Sequence, residues 1–84
     1  MSNKIALTRD EQYLVTLYRL AKEKGDEFIE VDRYVVGQTL GQNNRSVDNI
    51  VQLLVQTNFI KKRANSIYLT NHGLNLLQSL LENL

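Results

Sequence analysis

The chain has no cysteine and a single histidine among its 84 residues. Disulfides and thiolate metal ligands are therefore excluded, and His72 cannot build a metal site unless several carboxylates converge on it. The sequence also has no glycine-rich phosphate loop and no second titratable group close to His72. We therefore expect no resident metal, no cofactor and no enzymatic activity.

Long apolar runs are missing as well. The N-terminal stretch MSNKIALTRDEQ has no apolar core of signal-peptide length, and no apolar run approaches the roughly 20 residues of a membrane span. Together with the absence of cysteine, this favours a cytoplasmic protein that is neither exported nor inserted into a membrane.

Net charge is low but unevenly distributed. The formal charge is only +1. Residues 1–32 hold five basic and seven acidic side chains, whereas residues 33–84 hold five basic and two acidic ones. The first part thus carries −2 and the second +3, so any attraction for an anionic partner is expected from the second part.

The pattern of apolar residues predicts one domain over residues 1–84, mainly α with a small β-hairpin. Thr8 and Glu11 form a capping-box pattern before the first helix, Asp32 is placed to cap the second, and Thr70 the last. Asn58 is expected in the left-handed conformation at the end of the third helix. Helices are expected at about 9–24, 33–40, 45–57 and 71–83, a brief extended segment at 28–31, and a hairpin at about 60–69 with a four-residue connection over 63–66.

The stretch from 40 to 60 is the most informative. Val47, Ile50, Val51 and Leu54 recur at helical spacing and define a buried face. The opposite face is rich in amides and consists of Arg45, Asp48, Asn49, Gln52 and Gln56. Asn and Gln side chains can bond adenine through two atoms and Arg can do so with guanine, so this face suits a DNA major groove. Gly41 fits the tight bend before the helix, and Asn44 is the expected N-cap.

The element order helix, strand, helix, helix, hairpin, helix is that of the winged helix-turn-helix. From Val36 to Gly73 the chain resembles the winged-helix transcription regulators of bacteria, archaea and their viruses, most closely the MarR-like group. The resemblance rests on VGQTLG at 36–41, Ser46-Val47, Ile50-Val51 through Leu54, Asn58-Phe59-Ile60 and YLTNHG at 68–73. The last of these is similar to the family's "LTxxG" signature, which joins a strand to a helix.

The resemblance implies a sequence-specific regulator that binds double-stranded DNA, in particular a repressor. It implies base contacts from Asn43, Asn44, Arg45, Ser46, Asn49 and Gln52. The hairpin would be the wing and would contribute Lys61, Lys62, Arg63 and Asn65 to phosphates or a minor groove, and Arg33 would be a further phosphate contact.

Two alternatives stay open. The leucine-rich last helix suggests a homodimer through Leu77, Leu81 and Leu84, but these leucines could instead cover their own domain. The low net charge and Asp48 favour a winged-helix module that binds a protein partner and no DNA. In that case Lys61, Lys62 and Arg63 would be a solvated hairpin tip.

Overall fold

The computed structural model describes residues 7–82, over which the chain forms four helices and a small three-stranded antiparallel sheet. The elements are α1 (Arg9–Lys24), β1 (Val31–Asp32), α2 (Arg33–Leu40), α3 (Asn44–Gln56), β2 (Ile60–Arg63), β3 (Ser66–Leu69) and α4 (Asn71–Glu82). The predicted order of elements is confirmed. The extended segment is shorter and later than predicted, and the expected end of the last helix at 83 lies outside the described residues.

Side-chain caps start the helices. The Thr8 hydroxyl accepts a hydrogen bond from the Glu11 amide at 3.2 Å, and the Glu11 carboxylate accepts one from the Thr8 amide at 2.9 Å. Asp32 accepts from the Tyr34 amide at 2.8 Å. The cap of α3 is Asn43, whose Oδ1 accepts from the Ser46 amide at 2.8 Å. Our prediction of Asn44 was wrong by one residue, because α3 begins one residue earlier than expected and Asn44 is its first helical residue.

Left-handed residues close α2 and α3. Gly41 has φ 72°, and the Gln42 amide donates to the Gly37 carbonyl at 2.9 Å. Asn58 has φ 65°, and the Phe59 amide donates to the Leu54 carbonyl at 3.0 Å. Each bond satisfies a carbonyl that would lack a partner at the end of a helix. The predicted conformation of Asn58 is confirmed.

The sheet has the order β1, β3, β2, with both pairs antiparallel. Arg63 pairs with Ser66, so the hairpin connection consists of two residues, Ala64 and Asn65, and not of the four predicted. Such a tight turn demands a positive φ, and Ala64 takes it with φ 55°.

The core is apolar and joins all four helices to the sheet. Its buried members include Tyr13, Leu14 and Leu17 of α1, the predicted face of α3, and the inward side chains of the strands. Leu77 is fully buried in this core. Its predicted place in a dimer interface is therefore wrong, because its side chain is used inside its own domain. Leu81 packs partly buried against the same core, and Leu84 lies outside the described residues.

Two glycines allow backbone elements to approach closely. A Cβ at Gly37 of α2 would overlap the side chain of Val47 of α3, and one at Gly73 of α4 would overlap the Phe59 carbonyl. The Thr70 hydroxyl accepts from the Gly73 amide at 3.0 Å and donates to the Asn58 carbonyl at 2.6 Å. The LTNHG segment therefore holds α4 against the chain that leaves α3.

Candidate nucleic-acid interface

The outward face of α3 carries four polar side chains in one row. Arg45, Asn49, Gln52 and Gln56 follow one another at intervals of four, three and four residues, which keeps them on one side of a helix. All four are exposed, while the buried residues of α3 lie on the opposite side. We call these four residues the polar row. It has no role in the core.

The side chains of the polar row are free to bind. Among residues 7–82 none of the four makes an ion pair or a side-chain hydrogen bond, so their donors and acceptors face solvent. Each of the three amides offers a donor beside an acceptor, and the guanidinium offers paired donors, at successive turns of the helix. This is the chemistry that contacts base edges in a major groove.

The first residues of α3 differ in how available they are. Asn44 is exposed and Ser46 is half-buried. Asn43 is exposed, but its side-chain oxygen is occupied by the Ser46 amide. Of the three, Asn44 therefore offers a complete free amide, and Asn43 offers only its NH₂ donor.

A groove of about 270 Å³ separates α3 from the β2–β3 hairpin. Gln52 and Gln56 of the polar row form one wall and Lys62 of β2 forms the other, with Arg33 and Asp48 also in the lining. Lys61 lies on the opposite face of the hairpin, where it lines a more open depression together with Tyr68. Successive side chains of a strand point to opposite faces, so Lys61 and Lys62 do not act as one basic run.

The remaining hairpin residues present little unpaired positive charge. Arg63 Nη1 lies 3.4 Å from Glu30 Oε2, and the two side chains are 80% and 40% exposed. An ion pair this exposed is weak and can be replaced by a phosphate. Asn65 is exposed at the tip of the hairpin, and its backbone carbonyl is bound by Arg33.

The Arg33 side chain is largely buried and makes its contacts inside the domain. Its side chain is only 12% exposed. Nη2 donates to the Ala64 carbonyl at 3.0 Å, Nε donates to the Asn65 carbonyl at 3.3 Å, and Nη1 lies 3.7 Å from Asp48. The predicted phosphate contact stays a prediction, and the structure shows another use of the guanidinium: it connects the hairpin tip to α3 inside the domain.

Asp48 lies at the edge of the groove and is already engaged. Its Oδ1 accepts a hydrogen bond from the Tyr34 hydroxyl at 2.9 Å, and the same oxygen forms an ion pair with Arg33 Nη1 at 3.7 Å. The hydrogen bond to Asp48 is the main cause that raises the pKa of Tyr34, since ionising the phenol would lose this bond and place two negative charges together. The Asp48 carboxylate thus has partners inside the domain.

No family model, curated protein or solved structure matches this chain. Among residues 7–82 no group of three acidic, histidine or cysteine side chains is placed to hold a metal ion. Within the same range no helix combines the length and the apolar character required to cross a bilayer. His72 is exposed and stacks on Phe59, with ring centroids 4.7 Å apart.

Two residues of the site were missing from the predicted set. Gln56 was placed on the polar face of α3 by its spacing but was not assigned to the site, although it shares the groove wall with Gln52. Tyr34 was not assigned to the site either, and its hydroxyl donates a hydrogen bond to Asp48. Helical spacing could have identified Gln56. No sequence signal pairs Tyr34 with a residue 14 positions away.

Proposed function

We propose that this chain is a winged helix-turn-helix protein that binds double-stranded DNA sequence-specifically and acts as a transcription regulator, in particular a repressor. The observation that carries the proposal is the polar row on α3, whose side chains are exposed and unpaired among the described residues. A helix placed in the major groove presents such a row to base edges, and its N-terminal residues contact bases first. In this arrangement the hairpin is the wing.

Each part of the surface has a distinct task. Arg45, Asn49 and Gln52 bond base edges. Lys62 contacts a phosphate beside the groove, and Lys61 contacts one from the other face of the wing. Arg63 contributes a further contact when a phosphate replaces Glu30. A cytoplasmic location belongs to the same proposal, since the chain has no cysteine to form the disulfides that are common in exported proteins.

The number of phosphate contacts sets the salt dependence. Three contacts, from Lys61, Lys62 and Arg63, give a slope of roughly −2.7 per bound chain in a plot of log affinity against log salt, and about twice that slope for a bound dimer. The affinity of a single chain should then fall about 40-fold between about 50 mM and 200 mM salt. A mainly apolar protein interface would respond much less.

The test is fluorescence anisotropy of labelled duplex DNA, first with mixed sequences and then with sites selected from a random pool. Arg45→Ala should weaken binding to the selected site about tenfold or more and relax the preference at one base position. Arg19→Ala is the matched control, because Arg19 is also exposed but lies on α1. Equal effects of the two substitutions, or no binding at low salt, would refute the assignment.

Gln52 and Gln78 make a second matched pair. Both are exposed glutamines, one on α3 and the other on α4. Gln52→Ala should change which sequences are recovered from the random pool, whereas Gln78→Ala should recover the same ones as the original chain. Identical recovered sequences for all three proteins would show that Gln52 makes no base contact.

A protein-interaction module is the second candidate, and one exposed apolar side chain favours it. Leu53 of α3 is 44% exposed and borders a cleft of about 320 Å³, together with Phe59 and Leu76. A partner that covered this cleft would bury apolar surface without using the polar row. Absence of DNA binding by the original chain at low salt would move the proposal to this candidate.

A homodimer remains part of the proposal, without Leu77. Two-fold symmetry would present two copies of α3 to successive turns of one DNA duplex. Analytical ultracentrifugation of the purified chain, alone and with duplex DNA, tests the stoichiometry. A strictly monomeric complex at saturation would contradict the dimer and leave DNA binding itself intact.

A further inference from the structure

We propose that Arg33 is a positioning residue that sets the hairpin tip against α3 and thereby controls the specificity of the interface. The inference rests on the proposed DNA-binding function, because specificity has a meaning only for a chain that binds DNA. Its structural half, the coupling of hairpin and helix, stands on contacts within the described residues and can be measured without DNA.

Arg33 holds the two residues of the hairpin turn. Its backbone amide and its Nε both donate to the Asn65 carbonyl, at 3.0 Å and 3.3 Å, and its Nη2 donates to the Ala64 carbonyl at 3.0 Å. Carbonyls at the tip of a tight turn would otherwise be left to water. Three donors of one residue therefore fix the tip of β2–β3 to the start of α2.

The same residue is anchored on its other side. Nη1 stands 3.7 Å from the Asp48 carboxylate of α3. The Arg33 carbonyl accepts a hydrogen bond of 2.7 Å from the hydroxyl of Tyr13, whose side chain is fully buried in the core. Arg33 thus connects the hairpin tip with α1 and α3. A movement of the tip away from α3 would break hydrogen bonds of its guanidinium.

The position of the hairpin relative to α3 matters for DNA binding, because the two walls of the groove belong to these two elements. Lys62 comes from the hairpin, whereas Gln52 and Gln56 come from α3. Base contacts from α3 and a phosphate contact from Lys62 can form together only if their spacing matches the DNA. A loosened tip would leave the charge in place and lose this register, so sequence-specific binding would suffer while non-specific binding would persist.

The flat, forked shape of the guanidinium is required for this task. A lysine at position 33 keeps the positive charge, but its single ammonium cannot reach two carbonyls and a carboxylate in one plane. Arg33→Lys therefore separates charge from positioning. Arg63→Lys is the matched control, because Arg63 is also a paired arginine beside the turn but its side chain is 80% exposed.

The experiment has two arms, and each compares the original chain with the variants Arg33→Lys and Arg63→Lys. In the first arm, amide hydrogen exchange measured by NMR compares hairpin residues 62–67 with the core amides of α1. We expect Arg33→Lys to speed exchange at the hairpin relative to α1, and Arg63→Lys to leave that ratio unchanged. Unchanged hairpin exchange in Arg33→Lys would overturn the coupling.

In the second arm, anisotropy measures affinity for a selected duplex and for a scrambled duplex of equal length. Arg33→Lys should lower the ratio of these affinities about tenfold and leave binding to the scrambled duplex unchanged. An equal loss on both duplexes would mean that Arg33 acts only through charge or stability, and would overturn the proposal. If the original chain binds neither duplex, the DNA-binding function fails, and the exchange arm still decides whether Arg33 positions the hairpin.

Discussion

The approach of α2 to α3 at Gly37 leads to the sharpest prediction about this fold. A Cβ added at Gly37 would overlap Cγ2 of Val47, and the Gln42 carbonyl lies 3.6 Å away on another side. Val47 is fully buried, and a valine in a helix has essentially one rotamer. Gly37→Ala must therefore move α2 away from α3 or distort Val47.

The magnitude follows from two opposing effects. Alanine is favoured over glycine inside a helix by up to about 1 kcal/mol. Overpacking of a close-packed core typically costs about 1–3 kcal/mol. We expect Gly37→Ala to lower the free energy of unfolding by about 1–2 kcal/mol, which corresponds to a fall in Tm of roughly 4–8 °C per kcal/mol for a domain of this size.

A second substitution identifies the cause. Val47→Ala alone should cost about 2 kcal/mol, from lost burial and the cavity it leaves. In the double variant the new methyl at position 37 fills part of that space. The double variant should therefore be more stable than the sum of the single effects by about 1–2 kcal/mol.

Urea unfolding followed by far-ultraviolet circular dichroism measures all four proteins. Gly41→Ala is the control, because Gly41 has a positive φ of 72°, unlike Gly37, and no atom lies within 4 Å of the added Cβ. Its cost of about 1 kcal/mol is backbone strain, which Val47→Ala cannot relieve. Additive effects of Gly37→Ala and Val47→Ala would refute the proposed overlap.

Three further predictions concern the hairpin, the tyrosines and α4. Ala64→Gly should raise the free energy of unfolding by about 0.5–1 kcal/mol in urea titrations, because glycine adopts the φ of 55° without strain; a lower midpoint would contradict this. Burial raises the pKa of Tyr13, and the bond to Asp48 raises that of Tyr34, so the unfolded chain loses these protons first as the pH passes the ordinary value of 10.0. The contribution of these two tyrosines to stability should therefore be constant below that pH and fall above it, less steeply in Tyr34→Phe, and urea midpoints that do not change with alkaline pH would refute the argument. Leu77→Ala should cost about 2–5 kcal/mol while the mass in solution stays the same, and a dimer that dissociates in a still-folded variant would contradict its assignment to the core.

The sequence by itself determined those features that depend on neighbours a few residues away. The capping box of Thr8 and Glu11, the left-handed Asn58 and the buried face of α3 involve spacings of about one helical turn. Short-range hydrogen bonds and helical periodicity decide them, so local sequence is enough. The polar row was predictable for the same reason, because it is the complement of the buried face.

The tertiary structure alone decided which polar groups are already used. Arg33 bonds carbonyls 31 and 32 positions away, and Arg63 meets Glu30 across 33 positions. It also decided that Leu77 is buried in the core. These outcomes depend on how helices and hairpin pack, and no periodicity in the chain encodes a partner at such separations. The sequence could therefore predict which face of α3 is free to bind, but not that Arg33 is already bound.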